Sequence, residues 1–219
     1  NPNSIDIVLR IYQNDEILSV ESHIQKTFGD ISAMFQETTG SDVWVDIYVI
    51  NPTENRNFYT LVTMGMGAYE MTTPLGAENF KRSELLMTLP PDWDFSESNE
   101  NSFWPIRWLR AIARAPINEN SCLSIGHAIE SDHSFSYNTR LSAAILLFPM
   151  VSPDIEDYSC QLPNNECVQF YQVVPLYKEE LKYCHTHDWE ELLDLMCLDD
   201  DFSHIVNPTR PNYYETFMP

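Results

Sequence analysis

The chain has 219 residues, of which 43% are apolar, and it contains five Trp, eleven Tyr and eleven Phe. That composition can bury a substantial core, so it excludes an intrinsically disordered chain. The formal net charge is −21, from 33 acidic and 12 basic residues, which argues against nucleic acid or an anionic membrane as the partner of a broad charged face.

The N-terminal third predicts an arm, a helix and a strand–turn–strand unit. Residues 5–13 are predicted as a short strand or arm. Apolar residues at helical spacing, preceded by the form of a capping box, predict a helix over Ser22–Glu37. Alternating apolar residues predict a half-buried strand over Val43–Ile50, and a second strand over Phe58–Thr63 follows a turn.

The middle of the chain predicts a third strand and a helix. The strand covers Glu84–Leu89 and the helix Phe103–Arg114, with Pro105 in its first turn and Pro116 as its stop. The predicted inward stripe consists of Trp104, Trp108, Ala111 and Ile112. A second stripe of Arg107, Arg110 and Arg114 could pair with internal acids or hold a carboxylate.

The C-terminal part predicts two strands, two helices and an extended Pro-rich tail from Ile205. The strands cover 141–148 and 168–174, and the helices begin near Lys178 and after Asp188. Because the elements do not alternate as regular βαβ units, we predict an α+β fold with a mixed, mostly antiparallel sheet flanked by helices. With no repeat and no long linker, residues 1–219 are expected to form a single compact domain.

The cysteines favour a reducing compartment. Their number, five, is odd, they have no tandem spacing, and no N-glycosylation acceptor is present. No apolar signal segment is seen, and no run approaches the ~20 apolar residues of a membrane span. We therefore expect free thiols and a cytoplasmic location, with a loop-closing Cys160–Cys167 disulfide as the alternative.

Two residue clusters raise the question of catalysis or metal binding. Cys122, His127 and Asp132 are close in sequence, as a Cys–His hydrolase would allow, but a buried thiol beside loop histidines is the favoured explanation. Residues 184–188 contain Cys and His beside Asp, yet no second pair at diagnostic spacing completes a zinc tetrahedron. We predict no catalytic residue, no metal and no cofactor.

Acidic residues are concentrated in segments 154–157 and 179–201. A cationic protein is their natural partner, whereas solubility and solvated helix ends are the alternative explanation. The candidate partner-binding residues are Asp154, Glu156, Asp157, Glu179, Glu190, Glu191, Asp199, Asp200 and Asp201.

Seven blocks of distinctive sequence lie along nearly the whole chain. They are FGD at 28–30, DVWVDIYVINPTENRNFYTLVTMGM at 42–66, SELLMTLPPDW at 83–93, FWPIRWLRAIARAP at 103–116, IGHAIES at 125–131, FYQVVPLYKEEL at 170–181 and VNPTRPNY at 206–213. In content, order and approximate spacing these blocks resemble the suppressor of fused domain family. Ala128 departs from the Thr that often follows the Gly-His pair in that family.

The resemblance implies a mixed α/β domain that binds proteins and does not catalyse a reaction. In animal members a second domain follows, and the two close around a peptide of a transcription factor in Hedgehog signalling. This chain ends where the second domain would begin, so a Hedgehog role is not expected. Stand-alone copies resemble bacterial immunity proteins, which implies binding and neutralisation of a cognate toxin, such as a cationic nuclease.

Two alternatives to the immunity function stay open. The first is a general adaptor that binds a linear peptide in an apolar cleft near Trp93, Trp104 and Tyr177, although the favoured explanation of these aromatics is that they belong to the core. The second is a hydrolase in which Cys122 and His127 converge in a pocket.

Overall fold

A single mixed sheet of eight strands organises the computed structural model, which describes residues 8–40 and 42–218. The helices are α1 (Asn14–Phe28), α2 (Glu100–Glu119), α3 (Lys178–Thr186), α4 (Trp189–Met196) and α5 (Tyr213–Phe217). The strands are β1 (Ile31–Phe35), β2 (Asp46–Ile50), β3 (Tyr59–Met64), β4 (Ser83–Leu89), β5 (Ala128–Glu130), β6 (Ala143–Leu147), β7 (Ser159–Gln161) and β8 (Cys167–Leu176). Short 3-10 turns lie at Met66–Ala68, Glu78–Phe80 and Ile155–Tyr158.

The strand order is β1-β2-β3-β4-β8-β6-β5, and β7 also pairs with β8. The β4–β8 pair is parallel, whereas every other strand pair in the described residues is antiparallel. Strand β8 is ten residues long, so it pairs with β4 on one side and with both β7 and β6 on the other. The predicted α+β class with a mixed, mostly antiparallel sheet is confirmed.

Helices cover both faces of this sheet. Helix α2 packs on one face, where Trp104 and Leu109 meet the odd-numbered side chains of β2 and β4. Helix α1 packs on the other face with Ile24 and Phe28, and α3, α4 and α5 continue that layer over β6 and β8. Since successive side chains of a strand point to opposite faces, two-sided cover buries whole strands, and all seven residues of β4 are buried.

The first helix differs from its prediction over Ser22–Glu37. Helix α1 begins eight residues earlier, where the Glu16 carboxylate accepts a hydrogen bond from the Gln13 amide at 2.8 Å. It ends at Gly29, because the φ of +124° at this residue is incompatible with a right-handed helix. The apolar residues at 31 and 35 lie instead in edge strand β1, which pairs with β2. Of the predicted arm, residues 8–13 are extended, and residues 5–7 lie outside the described ranges.

Helix α2 is longer than predicted at both ends. Asn99 caps it by accepting a hydrogen bond from the Asn101 amide at 3.1 Å, so Pro105 lies in the second turn and not the first. Pro116 does not stop the helix, which continues to a left-handed Asn120 with φ of +49°. Trp104 and Ile112 are buried as predicted, whereas Ala111 is exposed and Ala113 takes its inward place.

The remaining predicted strands and helices are present, with small shifts of their ends. The sequence reasoning missed the three-residue strands β5 and β7, and it missed the short helix α5 inside the tail. Outside α5 the tail contains a turn at 208–209, and hydrogen bonds hold it to the rest of the domain. The Val206 amide donates to the Thr88 carbonyl at 2.9 Å, and the Thr139 hydroxyl donates to the Pro208 carbonyl at 2.6 Å.

A buried glutamate, Glu84, holds the Gly-spaced loop that follows β3. Its carboxylate accepts hydrogen bonds from the amides of Gly65 and Gly67 at 2.9 and 3.0 Å and from the hydroxyls of Tyr12 and Thr63 at 2.8 and 2.5 Å. Burial raises the pKa of Glu84 to about 7, although these four donors oppose the rise. The glycines therefore serve turn geometry, since a side chain at Gly65 would strike the Trp44 carbonyl.

A second buried glutamate, Glu180, fixes the tail. Its carboxylate forms a two-pronged ion pair with the Arg210 guanidinium, with N–O distances of 2.6 and 2.8 Å. The amides of Tyr177 and Tyr213 donate to the same carboxylate at 2.8 and 3.1 Å. The Arg210 guanidinium also lies over both tyrosine rings, so the charged pair is enclosed by aromatic and backbone partners.

Candidate functional site

A largely apolar cavity of about 440 Å³ opens beside the central strands. Residues 169–171 of β8 form its floor. One wall is the loop over residues 122–127, a second is the segment 148–149 together with Tyr158, and a third is the turn over 73–80. This volume falls in the range of ~300–1,000 Å³ that ligand pockets occupy.

Two contacts fix the walls of this cavity. The rings of Phe148 and Tyr158 stack with centroids 5.7 Å apart, which ties the two sides of the second wall together. In the first wall the Gly126 amide donates to the Leu146 carbonyl at 2.7 Å, and Gly126 has a φ of +86°. A side chain at position 126 would come within 2.3 Å of the Trp189 indole, so only glycine lets α4 approach this wall so closely.

Tyr171 in the floor has an unsatisfied polar group. The residue is 2% exposed, and its hydroxyl has no hydrogen-bond partner among the described residues. Burial raises the pKa of Tyr171. A buried hydroxyl without a partner is uncommon in a folded protein, because it has lost its bonds to water without replacement.

The cavity brings together Cys122 and His127, the two residues of the hydrolase hypothesis. The His127 ring, however, accepts from the Ser124 amide at 3.3 Å and contacts the Ser124 hydroxyl at 3.4 Å. In the described ranges no carboxylate hydrogen-bonds to His127, and no Cys122–His127 hydrogen bond forms. Asp132 lines a separate hollow with His133. The geometry lacks the oriented base that a thiol nucleophile requires.

The Cys–His cluster of residues 184–188 serves the fold. Cys184 is buried in the core, which raises the pKa of its thiol, and the His187 ring stacks on Tyr183 with centroids 4.0 Å apart. Asp188 caps α4 by accepting from the Glu191 amide at 2.8 Å. Within residues 8–40 and 42–218, no three His, Cys, Asp or Glu side chains are grouped as metal ligands. All five cysteines are free, including Cys160 and Cys167.

The nine predicted partner-binding acids lie in four places: the turn at 154–157, the start of α3, the start of α4 and the turn after α4. Exposed members are Asp154, Glu156, Glu190, Glu191, Asp200 and Asp201. The other three are half-buried; Glu179 accepts from the Asn212 side chain at 2.9 Å, Asp157 accepts from the Ser152 hydroxyl at 2.6 Å, and Asp199 accepts from the Asp201 amide at 3.0 Å. In the part of the chain that the structure describes, none of the nine forms an ion pair.

Half of the basic side chains form ion pairs with other acids. Ion pairs engage Lys81, Arg82, Arg107, Arg114, Arg140 and Arg210 with Glu37, Asp42, Glu70, Glu100, Glu166, Glu180 and Glu215. The arginine stripe of α2 is thereby explained by internal partners. Arg107 pairs with Glu100, Arg114 pairs with Glu37, and Arg110 donates to the carbonyls of Phe35 and Val45.

The aromatics considered for a peptide cleft are core residues. Trp93 meets the buried Trp104 edge-to-face with centroids 6.1 Å apart, and Phe135 stacks on the other side of Trp104. Tyr177 is 5% exposed, and its ring packs against the Arg210 guanidinium that pairs with Glu180. The apolar cavity lies elsewhere. Sequence reasoning missed it because its walls come from four distant segments, and only their exposed apolar residues gave a signal.

A family model described as Suppressor of fused protein (SUFU) matches residues 41–211. The chain belongs to the suppressor of fused family. This SUFU family consists of protein-interaction domains, so the chain is a SUFU-like domain of a protein-binding family.

Three further proteins are similar to this SUFU-like domain in sequence or in fold. The uncharacterized protein UU111 of Ureaplasma parvum serovar 3 is 26% identical over 206 residues, which cover 92% of this chain and 97% of that protein. The crystal structure of the Sufu–Fu complex matches with a TM-score of 0.67 at 16% identity, covering 94% of this chain and 95% of that one. A protein of Neisseria gonorrhoeae described as a SUFU homologue matches with a TM-score of 0.65 at 16% identity, covering 92% and 98%.

Drosophila Suppressor of Fused has the same fold over part of its length. It matches with a TM-score of 0.67 at 17% identity, and the match covers 93% of this chain but 52% of the Drosophila chain. This chain thus spans about half of that protein. None of the described helices has the length and apolar character needed to cross a membrane.

Proposed function

We propose that this SUFU-like domain is a cytoplasmic, non-catalytic immunity protein that neutralises a cationic protein toxin by binding to it. The observation that carries the proposal is the division among its acids. Seven other acids form ion pairs with Arg or Lys, and the buried Glu84 is held by four hydrogen bonds, whereas the nine acids of segments 154–157 and 179–201 have no cation partner among the described residues.

The negative charge of the domain favours rapid association with a basic protein. With a net charge of −21, the field of the domain attracts a cationic partner and raises the association rate by ~10- to 1,000-fold. A nuclease toxin presents a basic surface because it binds phosphates, so an acidic surface is complementary to its active-site face. The five free thiols are compatible with a reducing cytoplasm, where such a toxin would act.

The test is a titration against the purified product of the adjacent gene, with affinity measured by calorimetry at several salt concentrations. We expect tight binding that weakens by about tenfold or more as ionic strength rises from 0.05 to ~0.5 M. The exposed-acid variant Glu190→Gln/Glu191→Gln/Asp200→Asn should bind more slowly and lose most of the salt dependence. The matched control Asp30→Asn/Glu54→Gln/Glu97→Gln removes the same charge from other exposed positions.

Two results would remove the proposal. One is the absence of binding to the neighbouring product. The other is binding whose rate and salt dependence respond equally to the variant and to its control, since net charge alone would then account for the attraction.

A general adaptor is the second candidate function, and the apolar cavity favours it. An adaptor would hold a linear peptide chiefly by apolar contact, so its affinity would change little with salt. The same salt series therefore separates the two candidates.

A further inference from the structure

We propose that the apolar cavity, hereafter the anchor pocket, receives one aromatic side chain of a cationic protein partner, while acids around its mouth bind the Lys or Arg residues flanking that side chain. The proposal rests on the proposed function for the positive charge of the partner, and it adds the place and the chemistry of contact. The anchor pocket is defined by the floor residues 169–171 and the walls at 73–80, 122–127, 148–149 and Tyr158.

The lining of the anchor pocket suits an apolar group. No Asp, Glu, Lys or Arg lines it, and its floor and walls present Phe148, Phe170 and Tyr158. Aromatic side chains placed in such desolvated pockets dominate the binding energy of many protein interfaces. An indole or phenol ring fills part of about 440 Å³ and leaves room for a neighbouring side chain.

Exposed apolar residues surround the mouth of the anchor pocket. Phe80 and Ile125 line it and are 46% and 38% exposed. Leu75, beside the wall residue Pro74, is 100% exposed, and Ile155, at the start of the turn that ends in Tyr158, is 77% exposed. Apolar surface gathered around a cavity is characteristic of an interaction site, whereas single exposed apolar residues are ordinary.

Three exposed acids are close in sequence to residues that line the anchor pocket or contact its walls. Glu78 lies between the wall residues Ala77 and Phe80 and is exposed, and backbone hydrogen bonds lower the pKa of its carboxyl, so it is ionised at neutral pH. Glu156 precedes Tyr158 by two residues. Glu190 follows Trp189, whose indole lies against Gly126 of the wall.

The basic residue nearest to this mouth in sequence is already neutralised. Lys81 follows Phe80, but its ammonium lies 2.6 Å from the Glu166 carboxylate and 3.6 Å from Glu70. Its neighbour Arg82 is held by the same two acids. The mouth therefore combines an apolar centre with an unbalanced negative border, which is complementary to an aromatic residue between cations and repels one between acids.

The first experiment uses three synthetic pentapeptides as probes: Lys-Lys-Trp-Lys-Lys, Lys-Lys-Ala-Lys-Lys and Glu-Glu-Trp-Glu-Glu. Binding is followed by amide NMR shifts of the full chain. We expect the first peptide to shift resonances of residues 73–80 and 122–127. The alanine peptide should bind at least about tenfold more weakly, and the acidic peptide should not bind.

Pocket-filling variants locate the binding. Ala77→Trp and Ser124→Trp each add an indole to a different wall of the pocket, and both positions are partly exposed, so the fold should tolerate them. Each should abolish binding of the tryptophan peptide. Ser98→Trp adds the same side chain at an exposed position outside the pocket and should leave binding unchanged. Replacing Glu78, Glu156 and Glu190 by Gln together should reduce affinity for Lys-Lys-Trp-Lys-Lys about tenfold.

The outcomes separate this inference from the proposed function. If the neighbouring toxin binds with salt dependence while Ala77→Trp and Ser124→Trp leave its affinity unchanged, the anchor-pocket inference is wrong and the immunity function stands. If the toxin does not bind but the tryptophan peptide does so in the predicted pattern, the pocket stands and the immunity function is wrong. Shifts confined to other residues, or equal binding of the tryptophan and alanine peptides, would overturn the pocket.

Discussion

The interior acids Glu84 and Glu180 differ from the acids at the mouth of the anchor pocket in what surrounds them. Each interior carboxylate is fully buried and has at least four hydrogen bonds from the protein. Glu78 and Glu190 face solvent with no cation partner among the described residues. Glutamates therefore have two different roles in this domain. The buried ones hold loops and the tail in place, whereas the exposed ones remain available to a partner.

The largest expected effect comes from breaking the Glu180 site. Arg210→Ala leaves a buried carboxylate without its countercharge, so the free energy of unfolding should fall by about 3–5 kcal/mol. Urea denaturation measures it. The control is Arg107→Ala, whose pair with Glu100 is on the surface, with side chains 49% and 61% exposed, and which should cost less than about 1 kcal/mol. Equal losses in the two variants would contradict the comparison.

The second expected effect is a pH dependence specific to Glu84. Burial raises its pKa from 4.5 to about 7 in the folded state, so the folded protein holds a proton that the unfolded chain has released. That contribution to stability is complete below the unfolded pKa and is lost as pH rises through about 7. Over this window the wild type should lose up to about 3 kcal/mol relative to Glu84→Gln, at about 1.4 kcal/mol per pKa unit.

The measurement is the difference in unfolding free energy between wild type and Glu84→Gln at pH 4.5, 6 and 8. Because both chains carry the other acids, general charge repulsion cancels in the difference. A difference that stays constant across these pH values would show that folding does not raise the pKa of Glu84.

A third effect concerns the floor of the anchor pocket. Tyr171→Phe removes the buried hydroxyl that has no partner in the described ranges, so the unfolding free energy should rise by up to about 1 kcal/mol. Thermal unfolding measures the change. Tyr213→Phe, in the Arg210 site, is the matched substitution and is not expected to stabilise. Destabilisation by Tyr171→Phe would mean that the hydroxyl is satisfied in solution.

The smallest effect is expected at the mouth acids. Because Glu78, Glu156 and Glu190 are exposed and have no ion-pair partner among the described residues, their joint replacement by Gln should leave the unfolding free energy nearly unchanged. Urea denaturation beside the Arg210→Ala series tests this. A loss approaching that of the interior variants would show that these acids serve the fold and would remove the distinction between the two groups.

Periodic patterns predicted most elements but failed where two patterns overlapped. Ile24 and Phe28 belong to α1, and Ile31 and Phe35 continue their spacing although they lie in β1. The break between them is Gly29, a helix stop that the continuing apolar spacing masked. At Pro116 the error was the opposite one, because a helix stop was predicted where the helix continues. Pro116 is buried within α2, so tertiary packing outweighs the local preference of proline.

For the candidate site, the sequence predicted the concentration of negative charge but not the position of the cavity. The concentration of acids in 154–157 and 179–201 is visible in composition, but which acids pair with cations depends on contacts between distant segments. The Lys81–Glu166 pair, for example, joins residues 85 positions apart. The anchor pocket likewise joins segments near 75, 125, 150 and 170, and no local pattern brings these together.

The place of β8 in the sheet has a consequence for how the chain folds during synthesis. Strands β1 to β4 form a meander that can assemble from local contacts, but the outer edge of β4 pairs with β8, about 85 residues later. Until β8 leaves the ribosome, a strand of seven core residues presents an open hydrogen-bonding edge to other nascent chains. Chaperone dependence and aggregation of translation-arrested fragments should therefore fall sharply once the fragment is long enough for Leu176 to have left the ribosome.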